Sequence, residues 1–316
     1  MNWLLHIVEV VVILVVLLNL PIGLIWFERR MLGGFQDRYG PNRVGPQGLL
    51  QPIADALKLF MKEDWVPPFA DRYVFVVAPA IVVVTVLLVF GVIPFTAGIH
   101  VTDPNIGLLF FLGMASLGVY SIVLAGWASN SKYSLVGGLR AAAQMISYEL
   151  PMGLSLVGVV MLAGSFRLGA VVEAQRSLWF CITQPLGLII FLIATIAESR
   201  RIPFDLPEAD SELVNGYHTE YSSMKFGLFY LGEYLDVILV GCMVTVLFLG
   251  GWHGPWLPPL LWFALKVGVV IIIFIWVRSV LPRFRFDQLM NFGWRVLLPL
   301  SLLNILVTGL FAMLAH

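Results

Sequence analysis

Long apolar runs recur along this chain, and their length limits the fold more than any other feature in it. About 20 apolar residues carry an α-helix across the hydrocarbon core of a bilayer. Eight such runs are readable, at 3–27, 73–95, 106–128, 141–164, 178–197, 233–251, 257–277 and 296–315. Backbone polar groups in lipid have to be satisfied within the protein, so these runs are expected to be helices. The period-2 alternation of a membrane barrel is absent, and no internal repeat is visible. The chain is 59 % hydrophobic and 12 % charged, with a mean hydropathy of +0.92, against about 25 % charged residues in a soluble domain. The expectation is an all-α polytopic membrane protein with eight transmembrane helices, residues 1–316 forming a single membrane domain. The first run starts at Trp3 with no basic stretch before it and is too long for a signal-peptide core, so it is read as an uncleaved span.

Net charge is zero, so nothing favours nucleic acid; the distribution of charge says more. Of the 19 Lys and Arg, Arg167 and Arg176 alone fall in the loops after spans 2, 4 and 6, and Lys266 lies inside a span. The others crowd the loops after spans 1, 3, 5 and 7. Positive loops stay in the cytoplasm. Both termini are therefore expected on the periplasmic side, with the cytoplasmic loops at 28–72, 198–232 and 278–295. Within the first of these, Leu49, Leu50, Ile53, Leu57, Phe60 and Met61 recur at helical spacing, opposite Gln51, Asp55, Lys58 and Lys62. This predicts an amphipathic interfacial helix over 48–62, too short and polar to span. It either floats in the interface or lines an opening there against a partner.

The second cytoplasmic loop holds six carboxylates, Glu198, Asp205, Glu208, Asp210, Glu212 and Glu220, interleaved with Pro203, Phe204, Leu206, Pro207, Tyr217 and Tyr221. A solvated loop accounts for the acids alone; the apolar and aromatic residues point to a packed segment. Further charges fall inside the apolar runs: Glu9, Glu149, Glu233, Asp236 and Lys266. Such groups cost about 2.5–3.5 kcal/mol each at a helix centre, so intramembrane acids mark function by default. Glu149 is either a carboxyl held neutral by burial or paired with Lys266, or a proton carrier; these readings use the same physics and coexist. Pro151, two residues on, is expected to loosen that helix. Cys181 and Cys242 stand far apart, with no iron–sulfur or zinc spacing, and the five histidines form no mid-membrane pair, so no metal site is expected on this chain.

The run from Glu28-Arg-Arg through Gly40-Pro-Asn-Arg-Val-Gly-Pro-Gln-Gly48 to Lys62-Glu63 resembles the first cytoplasmic loop of the NADH–quinone oxidoreductase H subunits, the quinone-site membrane subunits of respiratory complex I. Ala197-Glu-Ser-Arg-Arg-Ile-Pro-Phe-Asp-Leu-Pro-Glu-Ala-Asp-Ser-Glu-Leu213, Gly216-Tyr-His-Thr-Glu-Tyr221 and Gly232-Glu-Tyr234 are similar to the acidic loop of that family. Trp276-Val-Arg-Ser-Val-Leu-Pro-Arg-Phe-Arg-Phe-Asp-Gln-Leu-Met290 is similar to its last cytoplasmic loop. The resemblance implies a component of a proton-translocating NADH:quinone reductase in a bacterial inner membrane. It implies a quinone-tunnel mouth at Glu28, Arg29, Arg30, Asp55 and Lys58, with Arg283 and Arg285 as a second wall. It implies an acidic proton path through Glu149, Glu198, Glu208, Asp210, Glu212, Glu220 and Glu233. Asp236 and Lys266 join that path as charged neighbours within the spans.

The substrate implied is a quinone, ubiquinone by default, with NADH, FMN and iron–sulfur clusters on partner subunits. Those partners are a peripheral arm carrying the terminal cluster, small membrane subunits and antiporter-like subunits. Two departures stand out. The family's usual Glu-Thr-Asn-Arg reads Glu198-Ser-Arg-Arg201, adding a cation beside Glu198, and a usual Glu is Asp210. The rival readings are the anchor component of an energy-converting hydrogenase, a transporter acting alone, and a structural anchor. The full Gly-Pro-Asn-Arg-Val-Gly-Pro-Gln-Gly run and the amphipathic helix favour the quinone enzyme over the first.

Overall fold

The computed structural model describes residues 2–207 and 210–315, and leaves the side chains of Asn2, Leu4, Leu5, Asp210, Ser211 and Ala315 undescribed. The described residues are helical, joined by turns, with one isolated β-bridge between Thr96 and Ile99. In chain order the helices are α1 (Asn2–Phe35), α2 (Gln51–Met61), α3 (Arg72–Phe90), α4 (Gly107–Ala128), α5 (Lys132–Ala163), α6 (Leu168–Ala174), α7 (Phe180–Thr183), α8 (Pro185–Glu198), α9 (Asp210–Leu213), α10 (Ser223–Phe248), α11 (Pro259–Val280), α12 (Phe286–Phe292) and α13 (Leu298–Ala315). A π-helical turn, Gly293–Leu297, joins the last two. Short 3-10 turns form at Pro46–Gly48 and Gly216–His218.

Seven of these stretches are long and apolar enough to cross a membrane: α1, α3, α4, α5, α10, α11 and Phe286–Leu314. The run at 178–197 is different. It breaks into α7 and α8 at Gln184, where Pro185 opens α8 and cannot continue the preceding helix. Gln184 is buried at the break, and its amide donates to Thr308 Oγ1 at 2.7 Å and accepts from Asn304 Nδ2 at 3.2 Å, both on α13. At 14 residues, α8 extends about 21 Å. Pro151 does not interrupt α5, which runs through it.

The termini of these helices follow local chemistry. Asp71 caps α3, its carboxylate accepting from Tyr73 N at 3.2 Å and Val74 N at 3.4 Å. Gly164 ends α5 at φ 66°, the left-handed geometry in which glycine is free of strain.

α5 and α10 form the centre. α5 packs against α4, α8 and α13, while α10 packs against α3, α11 and α1. In the apolar window of α10, 83 % of residues are buried within the chain, against 17 % for α1 and 22 % for α12–α13, so the last two elements turn apolar faces outward. The connections gather at two ends. One end brings together 91–107, 164–184 and 249–258, tied by Asp103 to Arg167 Nε (2.6 Å) and by Gln175 Nε2 to Val246 O (2.8 Å). The other gathers 28–72, 199–222 and 281–285, tied by Lys225 Nζ to Asp64 (2.6 Å) and Phe284 N to Pro203 O (3.2 Å).

Candidate functional site: a chain of buried charges

Glu28 lies in the last third of α1 and is 2 % exposed. A carboxylate this deep needs a partner, and it has two. Arg201 Nη1 donates to both of its oxygens, at 2.8 and 2.9 Å, and Arg278 in the last turn of α11 also donates to it. Arg201 Nε in turn faces Glu233 Oε1 of α10 at 2.8 Å, and its guanidinium lies 4.2 Å over the Tyr234 ring. Burial works against the Arg201 cation, but the Glu233 and Glu28 carboxylates outweigh it and hold the guanidinium charged, its pKa raised. Two acids and two arginines from α1, the segment just after α8, α10 and α11 thus close on one another.

The chain of charges continues inward. Asp236, one turn beyond Glu233 on α10, feels the charges of Arg200, Glu233 and Arg201. Glu198, the last residue of α8, feels Asp236, Glu149 and Arg200. Glu149, midway along α5, accepts a hydrogen bond from Ser116 of α4. Glu198, Arg200 and Asp236 share a small cavity with Thr85, Met114 and Met145, enclosed by α3, α4, α5 and α10. At about 40 Å³ it has room for water, which needs roughly 10–15 Å³ by the same measure. The sequence of interacting charges therefore runs Glu28, Arg201, Glu233, Asp236, Glu198, Glu149.

The described residues of the 199–222 segment are packed against the helices. Gln144 of α5, fully buried, donates to Ala197 O (2.7 Å) and Phe204 O (2.8 Å), fixing the exit of α8. One turn on, Tyr148 donates to Leu289 O at 2.9 Å. The Gly216–His218 turn lies so close to α5 that a Cβ on Gly137 would meet Tyr217 N at 2.8 Å. Tyr221 stacks on Phe75 of α3, centroids 4.0 Å apart, and donates to Phe75 O at 3.2 Å. His218, 2 % exposed among Tyr217, Phe226 and Phe229, is held neutral: burial first and the Arg200 charge second push its pKa well below the usual histidine range.

Beside Glu28, the next residue diverges. Arg29 Nη1 reaches Asp55 of α2 at 2.6 Å, and Lys58 approaches the same carboxylate at 3.4 Å. Partial burial pushes the Asp55 pKa up, but hydrogen bonds from Arg29 and Gln51 prevail and hold it below its ordinary value. Arg30 donates to Gln47 O at 3.1 Å and lies 5.5 Å over Trp26. The far end of α2 is pinned to α10, Ser223 Oγ donating to Leu59 O at 2.9 Å. α2 thereby lies across the end of α1 with Leu57, Phe60 and Met61 exposed. A separate apolar cavity of about 680 Å³ lies between α1, α10 and α11, lined by Leu17, Leu24, Phe27, Cys242, Phe263 and Val267 among others. Leu24 also lines the cleft that holds Glu28, Arg201 and Arg278.

Other expected site residues lie elsewhere. Glu212 is exposed and paired with Arg140 at 2.5 Å; that hydrogen bond holds its carboxyl below the usual range, with Arg283 and Arg285 contributing from the last loop. Arg283 and Arg285 thus face Glu212, and Arg285 also faces Asp287 at 3.3 Å, whereas Arg278 is the residue of that region that reaches Glu28. Glu220 is half-buried beside Tyr221. Glu208 and the side chain of Asp210 lie outside the described residues. Lys266 does not pair with Glu149. It donates to Leu249 O (2.6 Å), Gly251 O (2.9 Å) and His253 O (2.7 Å), with the Trp179 ring 4.3 Å away, and so caps the C-terminus of α10 at the opposite end of the molecule. Glu9 is exposed and faces His6 at 3.1 Å. Sequence reasoning missed Arg201, Arg278 and Ser116 as partners. A pairing between positions 28 and 278 leaves no local pattern. Among the described residues no three His, Cys, Asp or Glu side chains converge as a metal site.

A polytopic helical membrane protein with a buried chain of carboxylates and arginines is the class that this geometry defines. A family model described as NADH dehydrogenase matches residues 8–309. One of the NADH-quinone oxidoreductase H subunits of Geobacter metallireducens is 55 % identical over 98 % of this chain and 97 % of its own length. The NADH-quinone oxidoreductase H subunit of Methylococcus capsulatus is 61 % identical over 90 % and 91 %, and the second H subunit of Rhodopseudomonas palustris 53 % over 95 % and 94 %. The chain belongs to the family of NADH–quinone oxidoreductase H subunits.

Proposed function

We propose that this chain is the quinone-access and coupling component of a proton-translocating NADH:quinone oxidoreductase. The observation that carries the reading is the group of buried charges that runs by ion pairs from Glu28 on α1 through Arg201 to Glu233, then to Asp236 and Glu198 around one cavity, with Glu149 of α5 beyond. Acids at such depth are costly unless used, and here they neighbour one another. Quinone reduction takes up two protons per molecule, changing charge at one end of that group. A change there biases the protonation of each neighbour in turn, provided two arrangements differ in affinity for the charge. Glu212, Glu220, Glu208 and Asp210 are further acids that this reading assigns to the path.

Quinone enters, in this reading, beside α2, with Glu28, Arg29, Arg30, Asp55 and Lys58 at the mouth and Arg283 and Arg285 on the far wall. The apolar cavity between α1, α10 and α11 falls within the range of about 300–1,000 Å³ usual for small-ligand sites, and its wholly apolar lining suits an isoprenoid tail. Redox chemistry takes place on partner subunits: NADH, FMN and iron–sulfur clusters in a peripheral arm, with antiporter-like and small membrane subunits completing the assembly. Lys266, fully engaged by carbonyls, is left out of the path.

The chain crosses the bilayer eight times in this account, α7 and α8 forming a broken fifth crossing. The end that gathers 28–72, 198–232 and 278–295 faces the cytoplasm, following the excess of Lys and Arg there, and both termini face the periplasm of a bacterial inner membrane. Gentle extraction of the tagged chain tests the reading. It predicts co-migration with a large assembly that oxidises NADH and reduces quinone. A hydrogen-evolving assembly, or a lone chain that moves a solute in vesicles, contradicts it.

A further inference from the structure

Arg200 is 7 % exposed and lines the same small cavity as Glu198 and Asp236. Its φ of 57° is left-handed, a strained backbone for a residue with a side chain. The strain falls directly after α8, where the chain turns to run beneath the helices. Nη1 donates to Tyr217 Oη at 2.6 Å, and the guanidinium lies 5.7 Å from the centre of the Tyr217 ring. Its charge acts on three groups from three elements: Glu198 of α8, Asp236 of α10 and His218 of the 216–218 turn. Glu149 of α5 borders the far side of Glu198, and Glu233 and Arg201 border Asp236. Arg200 is thus the cation placed between the acids of the membrane interior and the aromatic turn of the loop.

We propose that Arg200 is a positioning residue for the proton path, an internal counter-ion that ties the charge of the Glu198–Asp236 cavity to the seat of the Gly216–Tyr221 turn. The proposal rests on the proton-path reading above. Two carboxylates sharing a cavity of low dielectric repel each other, and a cation beside them offsets part of the cost of charging either one. Tyr217 holds that cation. When the turn is seated against Gly137 and Phe75, the guanidinium stays in the cavity and eases proton release from the acids. When the turn lifts, the cation leaves with Tyr217 and the cavity takes up a proton in its place. The coupling is reciprocal: a proton arriving at Glu198 or Asp236 weakens the hold on Arg200 and loosens the turn. The added cation in Glu198-Ser-Arg-Arg201 is then the part that joins loop movement to proton binding.

The test uses the complete assembly in membrane vesicles carrying Arg200→Asn, Arg200→Lys or Tyr217→Phe, with Glu149→Gln in parallel. Proton translocation per NADH oxidised is recorded against pH. Loss of the guanidinium makes proton release from the cavity harder, so the Arg200→Asn profile is expected to move upward by about 1 pH unit. Arg200→Lys keeps the charge and restores most of the wild-type profile; Tyr217→Phe keeps the charge, removes the hydrogen bond that Tyr217 accepts from it, and shifts the profile the same way by less. A merely structural Arg200 lowers activity at every pH and moves no profile. An Arg200→Asn assembly with the wild-type profile overturns the proposal while leaving the proton path intact. Should that variant fail to assemble, Tyr217→Phe decides: a shifted profile supports the proposal and an unshifted one overturns it. Translocation unaffected in Glu149→Gln overturns the proton-path reading and this proposal with it.

Discussion

Arg201 Nη1 bridges both oxygens of Glu28 at 2.8 and 2.9 Å, joining residues 173 positions apart. The pair locks the segment around Arg201 to the inner part of α1 and, through Glu233, to α10. Breaking a buried pair from one side costs about 3–5 kcal/mol, because the remaining charge stays buried without its partner. Glu28→Gln leaves Glu233 as the acid facing Arg201 and takes the carboxylate away from Arg278. The expected outcome is a lower thermal midpoint of the assembled protein, with Glu28→Gln/Arg201→Gln less destabilised than the sum of the single variants. Additive losses in that double-mutant cycle contradict the account.

His218 supplies a pH dependence. Its folded pKa is depressed, so below the unfolded value of about 6.5 the unfolded chain binds a proton that the folded turn does not. The stabilising contribution is present above that value and is lost as pH falls toward the folded pKa. Protection factors over Gly216–Tyr221, which correct for the slower intrinsic exchange in acid, are expected to fall as the pH drops below about 6.5. His218→Phe, which fills the aromatic pocket without a titrating group, is expected to remove that acid-side dependence. The same dependence persisting in the variant points to another group.

Lys266 closes the far end of α10. Replacement by Met keeps the stem and removes three hydrogen bonds to carbonyls. Each hydrogen bond to a charged group contributes about 1.5–3 kcal/mol, and the carbonyls are left to other partners. The expected result is a clear loss of thermal stability with unchanged protons per NADH in the assemblies that form. A fall in that ratio at normal stability returns Lys266 to the proton path.

Asp55 ties α2 to Arg29. Asp55→Asn removes the ion pair from the mouth of the proposed tunnel and leaves the anchoring of α2 by Ser223 in place. A surface pair of this kind contributes about 0.2–1 kcal/mol, so the fold is expected to tolerate the change. The expected effect is a several-fold higher KM for a short-chain quinone with little change in kcat. Equal kinetics in the variant contradict the placement of the mouth.

Where apolar runs met clear punctuation, the helices were legible. The run at 106–128 lies on α4, bounded by Pro104 and the Ser129-Asn130 turn. Where polar residues find tertiary partners, helices run past the apolar limit. α10 starts at Ser223, because Lys225 meets Asp64 and Glu233 meets Arg201; α5 starts at Lys132, because Arg140 meets Glu212 and Gln144 binds two carbonyls. The run at 178–197 is apolar enough to span yet breaks at Gln184-Pro185, where the Gln184 side-chain amide bonds across to α13. Hydropathy does not register that side-chain contact.

The acids of the site stood out in the sequence because each is costly in an apolar setting. Their partners did not. Arg201 and Arg278 read as loop charges, since the contacts that bury them come from helices 173 and 250 positions away. Lys266 carried the same intramembrane signal as Glu149, and only the arrangement of carbonyls around it separates a helix cap from a carrier of protons.

The account stands most directly on Glu149. The measurement is proton uptake by inverted membrane vesicles during NADH oxidation, with quinone consumption recorded in the same sample, for the wild type and Glu149→Gln. Gln keeps the shape and the hydrogen bond from Ser116 but carries no exchangeable carboxyl proton. The account predicts an assembled complex that still reduces quinone with its proton-to-NADH ratio sharply reduced. An unchanged ratio at normal assembly contradicts it.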